Sequence, residues 1–449
     1  MSSRRDFLKH SGVAAIAATQ LGLMGNTVHA NAGSDYCAMV CILLAGGADS
    51  FNMLVPTDED RYAEYANTRA DLALSRTEIL PLNYGASGGA QYGVHPGLSE
   101  VQSLFNNGDL AFMANIGPLA APTSRQQIDT GTAELPLGLF SHADQIAVWQ
   151  TATAGIRGTT GFGGRLGDLI AASTPAGPVS MNISMSGTNL FQTGDSITGY
   201  AIDPTEGVRN VAGYGDANNE IFTQALDQLL AQDYADRFRR SYAERIRNAI
   251  DSGQTVRSAL EAAPVLSSTF SANPLSAALA QIARIISVRD LLGATRQTFF
   301  VTVGGWDHHD EVLNNQAQML PGISQGLAEF HAALTELGML NNVTTFTISD
   351  FGRTLTSNGK GSDHGWGGNS LVMGGSVNGG QIYGDYPDLA LGTELDLGRG
   401  RFLPTTSIDE FYAELALWFG VEASDLSLVL PNIGRFYSSG SGLPLGFMR

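Results

Sequence analysis

Three apolar runs in this sequence each stop at an aspartate: residues 40–48 before Asp49, residues 299–306 before Asp307, and Val343–Ser349 before Asp350. Each is rich in β-branched and aliphatic residues, the composition of a buried strand, and each releases a carboxylate where the run ends. His309 stands two residues beyond Asp307, and Asp363-His364-Gly365 follows closely after Asp350. Several anions share one pocket only when a cation sits among them. Asp49, Asp307, His309, Asp350, Asp363 and His364 are therefore the candidate ligands of a divalent metal. In an open α/β sheet, ligands bind beyond the carboxyl ends of the strands, the edge to which these runs lead.

Each residue also has a plainer reading. Asp49 could cap a turn after Gly46-Gly47. Asp350 could pair internally with Arg353, or it could be a ligand while Arg353 clamps a tetrahedral anion, since a guanidinium meets such oxygens in pairs. Asp363 could ligate, or orient His364 from behind. His308, between Asp307 and His309, should point elsewhere. Ser141 sits at the predicted N-terminus of a helix, a position that suits either an N-cap or a nucleophile beside an anion site. Thr123 and Ser124, ahead of Arg125, are its rivals. His142 and Asn52 are candidate substrate contacts. His95 and His331 read as packing or surface residues, and Lys360 as a charge balance or a solvated side chain.

Positioning these groups calls for alternating strands and helices. Strands are predicted over residues 36–44, 110–116, 179–186, 297–303, 343–348 and 371–373. Helices are predicted over residues 61–73, 95–104, 141–151, 311–337 and Ile408–Phe419. Residues 117–139 read as a long polar loop, and loops of that length tend to be functional. Residues 216–292 are mainly helical and heavily charged, an apparent insertion beside the sheet. The expected class is α/β, a doubly wound and mostly parallel sheet with helices on both faces.

The first thirty residues read as an export signal rather than as fold. Ser3-Arg4-Arg5-Asp6-Phe7-Leu8-Lys9 has the twin-arginine form, a weakly apolar stretch follows, and Val28-His29-Ala30 offers a cleavage site after Ala30. A periplasmic or secreted location follows, with the twin-arginine export machinery as a partner, and no later run is long enough to span a bilayer. The chain of 449 residues carries a formal charge of −18; removing Arg4, Arg5, Lys9 and Asp6 takes away +2 and leaves −20. So acidic a surface argues against nucleic acid and anionic membranes as partners. Lys360 is the one lysine beyond the signal. Cys37 and Cys41 lie on one face of a strand roughly 13 Å apart, too far for a disulfide, and read as core thiols.

Several motifs together carry a resemblance. They are Leu44-Ala45-Gly46-Gly47-Ala48-Asp49-Ser50-Phe51-Asn52, Phe140-Ser141-His142-Ala143-Asp144-Gln145, Gly305-Trp306-Asp307-His308-His309, Ser349-Asp350-Phe351-Gly352-Arg353-Thr354, Ser362-Asp363-His364-Gly365-Trp366-Gly367-Gly368 and Leu403-Pro404-Thr405-Thr406-Ser407-Ile408-Asp409. Trp418-Phe419-Gly420-Val421 and Pro431-Asn432 complete the set. The sequence resembles the uncharacterised domain family 1501, twin-arginine-exported proteins of the alkaline-phosphatase-like and sulfatase-like superfamily. That resemblance implies a doubly wound α/β fold with metals held between strand ends. Asp49 then matches a first-strand ligand, Asp307 with His309 a middle pair, Asp350 a late aspartate and His364 a final histidine. Phe351 stands where a partner histidine is expected, and Asp307 and His309 are two apart where four is usual. The count therefore stays open at one or two ions, of zinc, magnesium, manganese or calcium.

The functional expectation is a metal-dependent hydrolase acting on a phosphate or sulfate ester of a small molecule or glycan. Ser141 would be the nucleophile, the metal would polarise the ester, and Asn52, His142 and Arg353 would touch substrate. The alternative is a non-catalytic metal-binding envelope protein serving as a binding or assembly partner, and Phe351 favours it.

Overall fold

The computed structural model describes residues 36–85, 89–173, 179–208, 211–438 and 440–449. The signal predicted over residues 1–30 lies outside the described residues. The expected α/β class is observed, built on a nine-stranded sheet. Its strands are Cys37–Leu44 (β1), Leu110–Gly117 (β2), Asn182–Ser184 (β3), Tyr200–Ala201 (β4), Arg296–Val303 (β5), Val343–Ser349 (β6), Gly368–Met373 (β7), Ile382–Tyr383 (β8) and Thr406–Ser407 (β9). They run in the order β8-β2-β7-β6-β1-β5-β3-β4, with β9 also pairing with β2. The run expected as one strand over residues 179–186 is strand only at β3. Among the described residues, no helix is long and apolar enough to cross a membrane.

Alternation along β1 divides the core into two layers. Ala38, Val40, Ile42 and Leu44 face one cluster, Met39, Cys41 and Leu43 the other. The first cluster is closed by helices Ser99–Asn106 (α1), Pro274–Ser287 (α2) and Val312–Glu336 (α3). The second is closed by His142–Thr151 (α4), Phe162–Ser173 (α5) and Ile408–Phe419 (α6). Strands buried on both faces account for the near-continuous apolar runs of the sequence. Cys37 and Cys41 form no disulfide with each other. Within the predicted helical block, Glu220–Leu230 has no buried residue, whereas the helix Pro274–Ser287 buries nine residues, seven of them in the first layer.

Registry sets the edge of the sheet. β1 pairs in parallel with β5 from Cys37↔Arg296 to Leu44↔Val303, and with β6 from Ala38↔Val343 to Leu44↔Ser349. Leu44, Val303 and Ser349 thus end at one level, and Asp49, Asp307 and Asp350 emerge from adjacent turns. Those turns are stitched together. The Ser349 hydroxyl donates to the Leu44 carbonyl (2.6 Å) and accepts from the Ala48 amide (2.8 Å), and the Trp306 amide donates to the Ala45 carbonyl (3.1 Å).

One strand runs against the rest. β7 is antiparallel to both β2 and β6. A reversed strand begins where its neighbours end, so the loop ahead of Gly368 is brought to the same edge, and with it Asp363 and His364. Glycines let that loop lie against the one after β6. A Cβ on Gly352 would sit 1.9 Å from the Gly367 carbonyl oxygen, and Arg353 and His364 form an isolated antiparallel bridge between the two loops.

Two predictions follow from these contacts. Gly46 has a φ of 125°, and a Cβ there would lie 2.5 Å from the Asp307 backbone nitrogen, which cannot step aside. Gly46→Ala is expected to cost on the order of 3 kcal/mol, read from urea unfolding; a variant as stable as wild type would refute the stitched edge. The second prediction concerns Asp409, wholly buried in the first turn of α6, whose Oδ1 has no partner among the described residues. Burial pushes its carboxyl up to about 7. The native chain then keeps a proton that the unfolded chain loses near pH 4, so stability falls as pH rises through that window and levels off above about 7. Between pH 5 and pH 8, Asp409→Asn should gain about 3 kcal/mol on wild type in denaturant unfolding.

Candidate metal centre

Ser141 is the N-cap of α4, following a tight turn in which Gly138 has φ 59° and Phe140 φ 73°. The turn places two groups. The Phe140 carbonyl accepts from His364 Nδ1 at 2.8 Å, and His142, the first residue of the helix, puts its Nδ1 2.7 Å from Asp350 Oδ2. The second oxygen of Asp350 accepts from the Gly46 amide at 2.9 Å. His309 repeats the pattern with its Nδ1 3.1 Å from Asp363 Oδ1. Three histidines thus each have Nδ1 held from behind by an oxygen.

Their other nitrogens converge on Asp307. Its Oδ2 lies 3.4 Å from His142 Nε2, and its Oδ1 lies 3.1 Å from His309 Nε2 and 3.5 Å from His364 Nε2. One ligand atom from each of His142, Asp307 and His364 falls within 4.8 Å of the others. His309 Nε2 is 3.0 Å from His364 Nε2. A carbonyl can only accept, so His364 Nδ1 carries the proton and its Nε2 presents a lone pair. His309 Nε2, 3.0 Å from that lone pair, can either donate a proton to it or turn a lone pair of its own toward a cation shared with it.

The electrostatics suit a neutral His364 beside an ionised Asp307. Burial pushes the His364 ring down, and the nearby His142 and Arg353 charges add to that. Burial alone would raise Asp307, but the Arg353 guanidinium bonded to it, with His309 and His142 close by, holds the carboxyl below its usual range. Burial also opposes ionisation of Asp363, yet Asn358, Arg399 and His309 bring it down to about 2. The Asp307 and His309 side chains are almost half exposed, so the centre opens to solvent.

The structure separates the remaining predicted site residues. Asp49 is fully buried, with its Oδ2 2.8 Å from Arg69 Nη2 and 2.9 Å from the Ser362 hydroxyl; among the described residues it makes no bond to the histidine cluster. Arg353 is also buried. Its Nη1 donates to Asp307 Oδ1 (2.7 Å) and to the Gly46 carbonyl, and its Nη2 donates to the Ser362 carbonyl (2.8 Å), so its partner is Asp307 and not Asp350. Asp350 and Asp363 stand behind histidines rather than in the cluster. Asn52 lies in the interior, its amide donating to the Leu72 carbonyl and its oxygen accepting from the Tyr65 hydroxyl. The Ser141 hydroxyl makes no capping bond, whereas Thr123 donates to the Ala121 carbonyl and Ser124 closes a capping box with Gln127.

Phe351 occupies the place where a histidine was expected, its ring 4.9 Å from that of His142 and 4.5 Å from that of His364. A Cβ on Gly47 would lie 2.4 Å from it, so the glycine makes room for this aromatic wall. His142, expected as a substrate contact, stands among the converging donors. A histidine at the first position of a helix, after a long loop, was the available signal. Arg401 went unremarked. Its Nε donates to the His364 carbonyl (2.9 Å), and its guanidinium lies over the Phe140 ring, 5.5 Å from the centroid. His331 bonds Asp109, and Lys360 pairs with Glu311 in solvent.

Distant likenesses to solved structures accompany this geometry. The chain is similar to the PsFucS1 sulfatase from a Pseudoalteromonas species (9% identity over 87% of this chain and 68% of that one, TM-score 0.34). It is similar to the lipoteichoic acid synthase LtaP from Listeria monocytogenes (6% identity, 89% and 76%, TM-score 0.34). It is similar, too, to the alkaline phosphatase PafA (10% identity, 71% and 63%, TM-score 0.29). No curated protein matches its sequence. The family model described as protein of unknown function DUF1501 matches residues 36–398, most of the chain, and the chain belongs to that family.

Proposed function

We propose that this protein is an exported, metal-dependent hydrolase of anionic esters, with phosphate or sulfate esters of a small molecule or glycan as the substrate class. The observation that carries the reading is the convergence of His142, His309 and His364 on Asp307, each ring oriented from behind through Nδ1. Rings held in that way are the usual setting of histidine ligands. Three imidazoles and one carboxylate form a borderline donor set suited to zinc or manganese more than to calcium, which prefers oxygen. His142, Asp307 and His364 would hold the ion, with His309 beside them. Such an ion supplies Lewis-acid polarisation of an ester oxygen and eases ionisation of a nearby hydroxyl or water.

The chain's own groups supply the rest. Ser141 stands at the N-terminus of α4, where backbone N–H groups and the helix dipole favour a developing anion, and its hydroxyl is not committed to capping. It is the proposed nucleophile. Arg353 keeps Asp307 ionised and fixed from beneath. Arg401 takes the role of meeting the substrate anion, because Arg353 is buried and its bonds are spoken for. Asp350 keeps the His142 Nδ1 proton in place, so the ring cannot flip out of the cluster.

The second reading is a non-catalytic metal-binding envelope protein. The saturation of Arg353 favours it, since no fully buried guanidinium is left to grip an oxyanion.

Two measurements decide between these readings. Elemental analysis of the purified chain should find a divalent metal that Asp307→Asn binds at least ~100-fold more weakly. Metal-loaded wild type should cleave aryl phosphates or aryl sulfates and lose that activity with Asp307→Asn; equal rates in the two would leave the binding protein. Arg401→Gln should raise KM about tenfold, roughly 1.4 kcal/mol of binding, with metal content unchanged. No change in KM would remove Arg401 from the substrate site.

A further inference from the structure

We infer that the centre holds a single divalent ion, and that Asp49 is the fixed counter-ion of Arg69 rather than a second metal's ligand. This rests on the metal-centre reading above. Three strands end at the same level and release carboxylates to one edge, so each carboxylate needs a positive partner. The protein supplies most of them itself: Arg69 for Asp49, Arg353 for Asp307 and Arg399 for Asp363. Asp350 meets His142.

Asp49 is the decisive case. Its side chain and that of Arg69 are both fully buried, with Nη2 2.8 Å from Oδ2. Arg69 cannot swing aside, because its Nη1 also donates to the carbonyls of Thr354 and Leu355. A dication set on Asp49 would face this guanidinium across the same carboxylate, in an interior that screens little.

The bonds beyond Asp49 lead onward to the centre. The Ser362 hydroxyl donates to Asp49 Oδ2 at 2.9 Å, and its oxygen accepts from Arg353 Nε at 3.4 Å. Arg353 then reaches Asp307. Within that chain the buried Arg69 and Asp49 balance each other without any metal, whereas Asp307, almost half exposed, keeps an open side on which the imidazoles gather.

Asp49 Oδ1 has no partner among the described residues, and nor do Gln316 Oε1 or Arg69 Nε. Gln316 touches the Asp49 carbonyl through its amide nitrogen. That set mixes donors with acceptors, which suits buried water; a cation needs acceptors alone.

The test is the metal content of the whole chain loaded with zinc or manganese and dialysed. Wild type is expected to retain one equivalent, Asp49→Asn also one, and Asp307→Asn none. The manganese form should give the EPR spectrum of isolated ions. Two equivalents in wild type, the second lost in Asp49→Asn, or a spin-coupled manganese pair, would overturn the inference and leave the metal centre standing. No metal in wild type would overturn the centre itself. Should Asp49→Asn fail to fold, the wild-type count and spectrum still decide.

Discussion

Like charges gathered at one sheet edge are the constraint on which this structure turns. In-register pairing of β1 with β5 and β6 leaves Asp49, Asp307 and Asp350 no freedom to disperse. Each carboxylate is answered by a group brought from elsewhere in the chain. Arg69 comes from the helix Glu59–Arg69, His142 from the start of α4, and Arg353 from the loop beyond β6. Charge balance therefore ties together segments that hydrophobic packing alone would leave loosely related. The half-exposed Asp307, met by three imidazoles and one guanidinium, sits where that balance opens to solvent.

Topology decides which residues can join it. With every strand parallel, the segment leading into Gly368 would lie at the opposite edge, far from Asp307. Reversal of β7 brings it across. Gly352 and Gly365 then let the two loops approach to backbone contact. Glycine richness around His364 is thus a requirement of close packing and not a mark of looseness. The same contact lifts His364 onto the Phe140 carbonyl, so backbone shape in one loop fixes a proton on a ring from another.

The reading from sequence went furthest where one local pattern carried the information. The buried strands, the helix Ile408–Phe419 and the carboxylates at strand ends all follow from apolar periodicity and from where it stops. It fell short where identity depends on a distant partner. Arg69 lies in an ordinary charged helix, and nothing nearby in sequence shows that its guanidinium is drawn inside to Asp49. Arg353 looked like a free anion clamp because its burial is set by Ser362 and Gly46, both remote or separated by a loop. His142 was seen, but its neighbours Asp307 and Asp350 are joined to it only through the fold.

Phe351 shows how these levels interact. Its ring touches two of the converging histidines and is accommodated by the missing side chain of Gly47. An apolar wall there cannot coordinate, and it adds to the burial that favours the neutral form of His364. The Asp307 and His309 side chains remain almost half exposed. An aromatic ring at that position leaves the convergence of His142, His309 and His364 on Asp307 intact.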